Sequence, residues 1–588
     1  MNNKEPELTL KSLFLPLTTK KIIVFIFIIG FVVFFNSLFN GFVGDDSGQI
    51  VNNSSIFSLA NIPNFFHIST FNLGNGISGM YYKPLLLTIY SFIYSLFGLS
   101  PFAYHFFQVF IFVINAVLVF LLLNKFLKRN LAFILSLIFL VHPISQDAAA
   151  YISNLQDVMF FFFGMLAILI STSKSSKYLD VKVLLMLILS LLSKETGVAF
   201  FLINLAYIFT FKKELFKKQF ILSAIIIVIY SIIHTLVVGT SFINQHIYHI
   251  ARLPLLERLI NIPKIIYYYL FTFAYPKSLA VSYDWIVKSL NSWDFYWPLL
   301  IIILFFGTLF LIGKGLRKKH DLFKVYLFFV LWFILGLLPH IQILPLDGAV
   351  APRWFYLPIV GLLGIIGIAL QELIKNKKIK IVLLFFSVLI ILLFSIRTMI
   401  RNTDFKDNLT LMCHDASISY NNFALENSCG ASLFSSNLYD QAQTHLERSV
   451  AFAPYYGINW WTLGMILGRK AELYQNKDLY NKSVVAFKNG LKTVPYVPWS
   501  YETLGYLYAH YEDPQTAKNF LVSSLNKFPN SYVLWLNYAY VEYKLGDKKM
   551  ALRAITNAHI LNPNDSQTAQ YYYNMSNNLP IKIYQTKL

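Results

Sequence analysis

Uninterrupted apolar runs crowd residues 1–398 and end near Arg397; beyond it Asn, Ser, Lys and Glu break the pattern every few positions. Eleven runs, with ends ragged by about three residues, suit a hydrocarbon core that needs roughly 17 to 25 residues of helix. They lie near 22–40, 102–123, 130–144, 155–172, 181–194, 196–211, 219–240, 297–313, 323–340, 355–374 and 380–398. Two shorter stretches, 84–97 and 262–276, carry Pro84 and Pro263 and leave two options, spanning or lying along the interface. The pattern predicts an all-α protein with a polytopic membrane helix bundle of about 11 spans over 1–398.

Charge chooses between the options, because Lys and Arg collect on the cytoplasmic side of short loops. With both short stretches kept outside as juxtamembrane helices, the cytoplasmic loops hold 23 basic residues, among them Lys212, Lys213, Lys217 and Lys218, against eight in the outside loops. Counting either stretch as a span would move that lysine cluster to the wrong side. An odd number of spans with the N-terminus inside places everything after residue 398 outside. Lys20 and Lys21 precede an apolar run without a small-residue cleavage site, which predicts a retained signal anchor. The expected location is a cytoplasmic (inner) membrane, multi-pass, with the tail extracytoplasmic.

Composition agrees: of 588 residues, 56% are hydrophobic and 13% charged, too apolar for a soluble chain of this length. The formal charge of +20 raises the question of a nucleic acid. Most of that excess sits in the cytoplasmic loops facing anionic lipid, so no basic patch remains and no nucleic-acid partner is expected. Cys413 and Cys429 are the only cysteines, which rules out a thiolate metal site and leaves at most one bridge.

The tail has its own period. Pro454, Pro495, Pro529 and Pro563 are spaced by 41, 34 and 34 residues, and 34 is the period of the tetratricopeptide repeat. Small residues recur where two antiparallel helices must approach: Gly430, Ala442 and Ser449, then Gly464, Ser483 and Gly490, then Gly505, Ala517 and Ser524, then Ala539, Ala551 and Ala558. Trp460, Leu463 and Gly464 match the signature opening, as do Tyr501, Leu504, Gly505 and Tyr508; an insertion around Lys470 to Asn476 accounts for the longer spacing. Four repeats are expected over 423–565, after a linker helix over 399–422 and before a capping segment over 566–588. Such an α-solenoid presents a concave face suited to a peptide or helix. A rigid spacer without a ligand is the alternative.

Ionisable groups at the outer ends of spans are the candidates for chemistry. Asp45 and Asp46 adjoin where the chain leaves the first span; neighbouring carboxylates oppose each other's ionisation, so one can serve as a base or help hold a cation. The same side gathers Tyr81, Tyr82 and Lys83 before Pro84, His142 at the end of the third span, and Asp147, Asn154 and Asp157 after it. Lys194 and Glu195 follow in the turn between the fifth and sixth spans, and Arg353 and Tyr356 at the start of the tenth. Cations beside an acidic pair suit a phosphate-bearing lipid, with Lys83 and Arg353 neutralising phosphate and the acid serving an acceptor hydroxyl. The alternatives are snorkelling for each cation, a structural ion pair for Lys194 with Glu195, and helix-end hydrogen bonding for His142. No spacing of His and carboxylates suits a metal, so no cofactor is required, although the acidic pair leaves a divalent cation open.

Val43-Gly44-Asp45-Asp46, Tyr82-Lys83-Pro84-Leu85-Leu86, Phe97-Gly98-Leu99, Tyr104-His105, His142-Pro143, Ala150-Tyr151-Ile152-Ser153, Ser193-Lys194-Glu195-Thr196, Arg353-Trp354-Phe355-Tyr356-Leu357-Pro358 and Arg401-Asn402 follow one another in this order, with the repeats after them. In that order and spacing the chain resembles, over nearly its whole length, the transmembrane and tetratricopeptide-repeat-containing O-mannosyltransferases. These fall within the GT-C superfamily of polyprenyl-phosphate-sugar-dependent glycosyltransferases. The resemblance implies a GT-C-type bundle and an inverting transfer of a sugar, such as mannose, from a lipid-linked monophosphate donor to a Ser or Thr hydroxyl on the outer face. By the same resemblance Asp45 would take the hydroxyl proton and Asp46 would orient it or the acceptor. Lys83 and Arg353 would bind the donor phosphate, Tyr82 and Tyr356 would line the sugar or lipid pocket, and His142, Lys194 and Glu195 would complete the substrate-binding set. The departures are Gly44 where an aromatic residue is usual, Leu155 where a basic one is common, and Pro352 in place of an acid; they bear on sugar and acceptor specificity. Two alternatives stand beside this: transfer to a lipid-linked or envelope glycan, and a non-enzymatic membrane scaffold or transporter whose repeats recruit proteins.

Overall fold

The structure, a computed structural model, describes residues 16–70, 81–174, 178–239, 247–373, 377–577 and 579. Among these residues the fold is helical, with one isolated antiparallel bridge between Tyr283 and Val350. The chain divides into two units, 1–421 and 422–588.

In the first unit each predicted apolar run carries a helix: Thr19–Val33, Pro101–Phe126, Arg129–Val141, Leu155–Ser171, Leu179–Ser193, Val198–Phe211, Phe216–Val238, Trp297–Leu316, His320–Leu337, Pro358–Leu373 and Lys377–Asp404. The two ambiguous stretches lie in Pro84–Phe97 and Leu255–Ala274. Pro84 and Pro101 stand in the first turn of their helices, where an absent N–H costs no hydrogen bond. Among the described residues six helices are long and apolar enough to cross a membrane. The number becomes seven if Arg129–Val141 and Pro143–Ala150, bent by 51°, form one span. The count of eleven therefore goes beyond what helix length supports. Thr19–Val33, for instance, has 15 residues, about 22 Å at 1.5 Å per residue, against a hydrocarbon core of roughly 30 Å. It stops where Asn36 and Asn40 donate to the carbonyls of Met399 and Asn402, at 2.8 and 2.9 Å, tying the chain to the helix Lys377–Asp404 instead of extending its own. The core is aromatic: Phe112, Phe139, Phe161 and Phe200 pack with Trp332 and Tyr356 across five helices.

The second unit is four antiparallel helix pairs: Phe423–Ser435 with Tyr439–Phe452, Gly457–Tyr474 with Lys477–Thr493, Pro498–Tyr511 with Pro514–Lys527, and Tyr532–Lys544 with Lys548–Leu561. The helix Ser566–Ser576 follows them. The recurring glycines let the two helices of a pair approach, since a Cβ on Gly430 would come 2.6 Å from Leu446, on Gly464 2.8 Å from Phe487, and on Gly505 2.8 Å from Leu521. The signature aromatic at the head of a unit bonds backwards: Trp460 Nε1, Tyr501 Oη and Trp535 Nε1 donate to the carbonyls of Pro454, Pro495 and Pro529. That recurring bond couples each unit to the one before it and explains why the proline spacing and the aromatic position travel together. The insertion lengthens both helices of the second pair, to 18 and 17 residues against 13 or 14 elsewhere. Both cysteines are disulfide-bonded.

Candidate functional site

Two adjacent aspartates beyond the first helix meet different surroundings. Asp46 is fully buried: its Oδ1 accepts the Ser153 N–H at 2.7 Å and the Ser153 hydroxyl at 2.5 Å, and its Oδ2 accepts the Val43 N–H at 2.9 Å. Burial pushes its carboxyl up to about 7, against the pull of the Ser153 and Val43 hydrogen bonds. Asp45 faces a cavity instead. Its backbone N–H donates to the Tyr151 hydroxyl at 2.7 Å, and the Gly44 N–H donates to Asn408 Oδ1 at 2.6 Å. Gly44 has φ +53°, and a Cβ there would lie 2.3 Å from the Tyr151 oxygen. An aromatic side chain at this position would not fit, because Tyr151 from elsewhere in the chain already fills the space. Enclosure by protein raises the Asp45 carboxyl, while Arg353 and then Lys83 draw it down.

The cavity, about 310 Å³, is lined by Asp45, Lys83, Lys194, Glu195 and Arg353 together with Asp347. Lys83 is set by its neighbours' backbone, with Thr70 accepting the Lys83 N–H at 3.1 Å while its own N–H donates to the Tyr81 carbonyl at 2.8 Å. Lys83 is 4% exposed, and its ammonium stands 3.8 Å above the Tyr81 ring and has no ion-pair partner among the described residues. Burial lowers it to about 8 against the opposing charge of Glu195. Arg353 donates to the Val281 carbonyl at 2.7 Å and lies 3.7 Å from Asp147. Lys194 is paired more tightly, bonded to buried Asp157 at 2.6 Å. Glu195 accepts the Tyr82 N–H at 3.0 Å, so the pairing of Lys194 with Glu195 expected for a hairpin is replaced by bonds from each to other elements.

Besides Asp46, three of the expected residues do not line this cavity. Tyr356 points into the aromatic core, its ring 4.5 Å from that of Phe161 and its hydroxyl accepting from Asn115 at 3.1 Å. His142 accepts the Ile144 N–H on Nδ1, which leaves Nε2 to donate to the Phe273 carbonyl at 3.0 Å, a helix-end role. Tyr82 contributes its backbone, while its hydroxyl donates to the Phe66 carbonyl at 3.1 Å.

Asp347 was not singled out from the sequence. It lies six residues before Arg353, in a loop held by buried Gln342, whose amide accepts the Leu346 N–H and donates to the carbonyls of Gly348 and Ala349. Tyr81 donates its hydroxyl to Asp347. Burial and the charge of Asp45 raise the Asp347 carboxyl to about 6 while Arg353 draws it down. Topology offered the one usable signal, an acid in the same outer loop as Arg353. Among the described residues no group of three or more His, Cys, Asp or Glu is placed to hold a metal ion.

The chain is thus a multi-pass membrane protein with a polar cavity that combines acids and cations, joined to a helical-repeat unit. No protein-family model matches it. It is 24% identical over 447 residues to the protein O-mannosyl-transferase F38B6.6 of Caenorhabditis elegans, covering 72% of this chain and 62% of that one. Over 466 residues it is 22% identical to the protein O-mannosyl-transferase TMTC3 of Homo sapiens, covering 72% and 50%. The matches span between half and two-thirds of the length of these relatives. The resemblance carried by the motifs is borne out by relatives of that name. Among solved structures, the chain is 14% identical to ArnT from Cupriavidus metallidurans bound to undecaprenyl phosphate, with a TM-score of 0.36 and coverage of 84% and 81%.

Proposed function

We propose that this chain is a GT-C-type glycosyltransferase that moves a sugar, mannose by resemblance, from a polyprenyl-phosphate donor to a Ser or Thr hydroxyl of a protein. The reaction takes place on the extracytoplasmic face of the membrane, and the repeats hold the acceptor polypeptide. The observation that carries this reading is Lys83: a buried side chain whose ammonium has no ion-pair partner among the described residues, facing a cavity that it shares with Arg353 and Asp45. A buried cation left unpaired is costly, and an incoming phosphate would remove that cost.

In the step we envisage, the acceptor oxygen bonds to the anomeric carbon as the bond from that carbon to the phosphate oxygen breaks. The hydroxyl proton passes to the Asp45 carboxylate. Lys83 and Arg353 take up the negative charge that grows on the departing polyprenyl phosphate. A carboxylate raised above the ordinary aspartate range is a better proton acceptor than a free one, and Asp46, with both oxygens engaged, keeps the loop in place. An apolar cavity of about 480 Å³ shares Glu195, Thr196, His340 and Leu346 with the polar one and suits the proximal isoprenes of the donor. The test is to supply the purified protein with a polyprenyl-phosphate sugar and a Ser/Thr-containing peptide. Coupled appearance of glycosylated peptide and free polyprenyl phosphate is expected; an untouched donor would contradict the proposal.

A further inference from the structure

A second apolar cleft, about 680 Å³, shares no lining residue with the polar cavity. Its walls come from the helices Arg129–Val141, Pro358–Leu373 and Lys377–Asp404, and the segment 273–277 closes one end. Along the last helix the lining runs from Leu383 to Arg397, a trough of about 20 Å at 1.5 Å per residue. That exceeds the roughly 15 Å of one leaflet's hydrocarbon, so it accommodates one extended acyl chain along its length.

Hydrocarbon alone would make this an ordinary lipid-facing surface. The polar end distinguishes it. Lys277 and Arg397 both line the cleft there, and the Arg397 guanidinium donates to the Lys277 backbone carbonyl at 2.9 Å, which ties the two residues together at that mouth. Neither has an ion-pair partner among the described residues, and no acid lines the cleft. A long apolar trough with two adjacent cations at one mouth complements a single-headed anionic lipid.

We propose that this cleft is a binding site for one anionic phospholipid, with its phosphate between Lys277 and Arg397 and one acyl chain lying along the face from Leu383 to Arg397. The site stands apart from the transferase reading, because the polar cavity has its own adjoining apolar groove.

Native mass spectrometry of the full-length protein, equilibrated with equal amounts of phosphatidylglycerol and phosphatidylcholine in mixed micelles, tests it. Two membrane-surface cations correspond to a preference of roughly 30-fold for phosphatidylglycerol, and Lys277→Gln should cut it about fivefold. Among the described residues the Lys277 side chain makes no hydrogen bond or ion pair that this change would break, so an unaltered thermal transition is expected alongside. Ser387→Phe, which fills the trough, should lower retention of both lipids. Equal retention of the two lipids by the unaltered protein would overturn the proposal, as would an undiminished preference in Lys277→Gln. So would displacement of phosphatidylglycerol by equimolar polyprenyl phosphate, which would make the cleft a carrier site, or a lipid-free dimer, which would make it a face between copies.

Discussion

Gly44→Ala is the smallest change that should disturb the proposed base without touching it. Gly44 has φ +53°, where an alanine is disfavoured by about 1 kcal/mol. Its Cβ would also lie 2.3 Å from the Tyr151 oxygen and 3.0 Å from Met412 Cε. Ordinary contact begins at 3.4 Å, so the hydroxyl must retreat by about an ångström, which breaks the bond it accepts from the Asp45 N–H. A lost buried hydrogen bond adds about 1 kcal/mol, for a total near 2 kcal/mol. A displacement of about 1 Å at the reacting group costs up to about a hundredfold in rate. Transfer assays and thermal unfolding on the same preparation should therefore show a lower transition and a kcat reduced by about 30- to 100-fold. The donor KM should change little, because Lys83 and Arg353 stand on other elements. Adding Tyr151→Phe removes the atom at 2.3 Å and leaves a ring carbon at 3.2 Å, so the double variant should regain part of the stability. Wild-type kcat in Gly44→Ala, or a double variant no more stable than the single one, would refute the reasoning.

The pH profile of kcat/KM should be bell-shaped. Activity should rise as Asp45 deprotonates above the usual aspartate range and fall near pH 8 as Lys83 loses its proton; Lys83→Arg should carry the basic limb beyond pH 9, and a profile flat through pH 9 in the unaltered protein would argue against Lys83 as the phosphate ligand. Tyr356→Phe should cost about 1 kcal/mol of stability through the lost Asn115 bond and leave transfer unchanged, since Tyr356 sits in the core; a large fall in kcat would return it to the site. Gly464→Val should lower the unfolding transition of the repeat unit by about 2 kcal/mol because its side chain meets Phe487, while a variant as stable as wild type would contradict the close helix approach.

Periodicity made the helices legible, and the proline and small-residue spacing made the repeat pairs legible, because both follow from how a helix buries one face. Helix ends were less so: the run 22–40 holds an α-helix only to Val33, since Asn36 and Asn40 find partners on a distant helix that no local pattern reveals. At the cavity, topology grouped Asp45, Lys83, Lys194, Glu195 and Arg353 on one side, and the structure gathers them around one space. Tyr356 shows where that reasoning stops. It lies three residues from Arg353, yet an amphipathic ring can serve a core as well as a pocket, and here Asn115 satisfies its hydroxyl inside the bundle. Asp347 escaped notice because its placement depends on the Gln342 amide bonds that shape its loop, and those carry no periodic signature.

The most direct measurement is the rate of sugar transfer by Asp45→Asn in reconstituted membranes, with donor binding measured on the same sample. Asparagine keeps the shape of the side chain but accepts no proton, so transfer should fall by about 10²- to 10⁴-fold while the donor still binds at Lys83 and Arg353. Transfer at the wild-type rate by the folded, donor-binding variant would contradict Asp45 as the base.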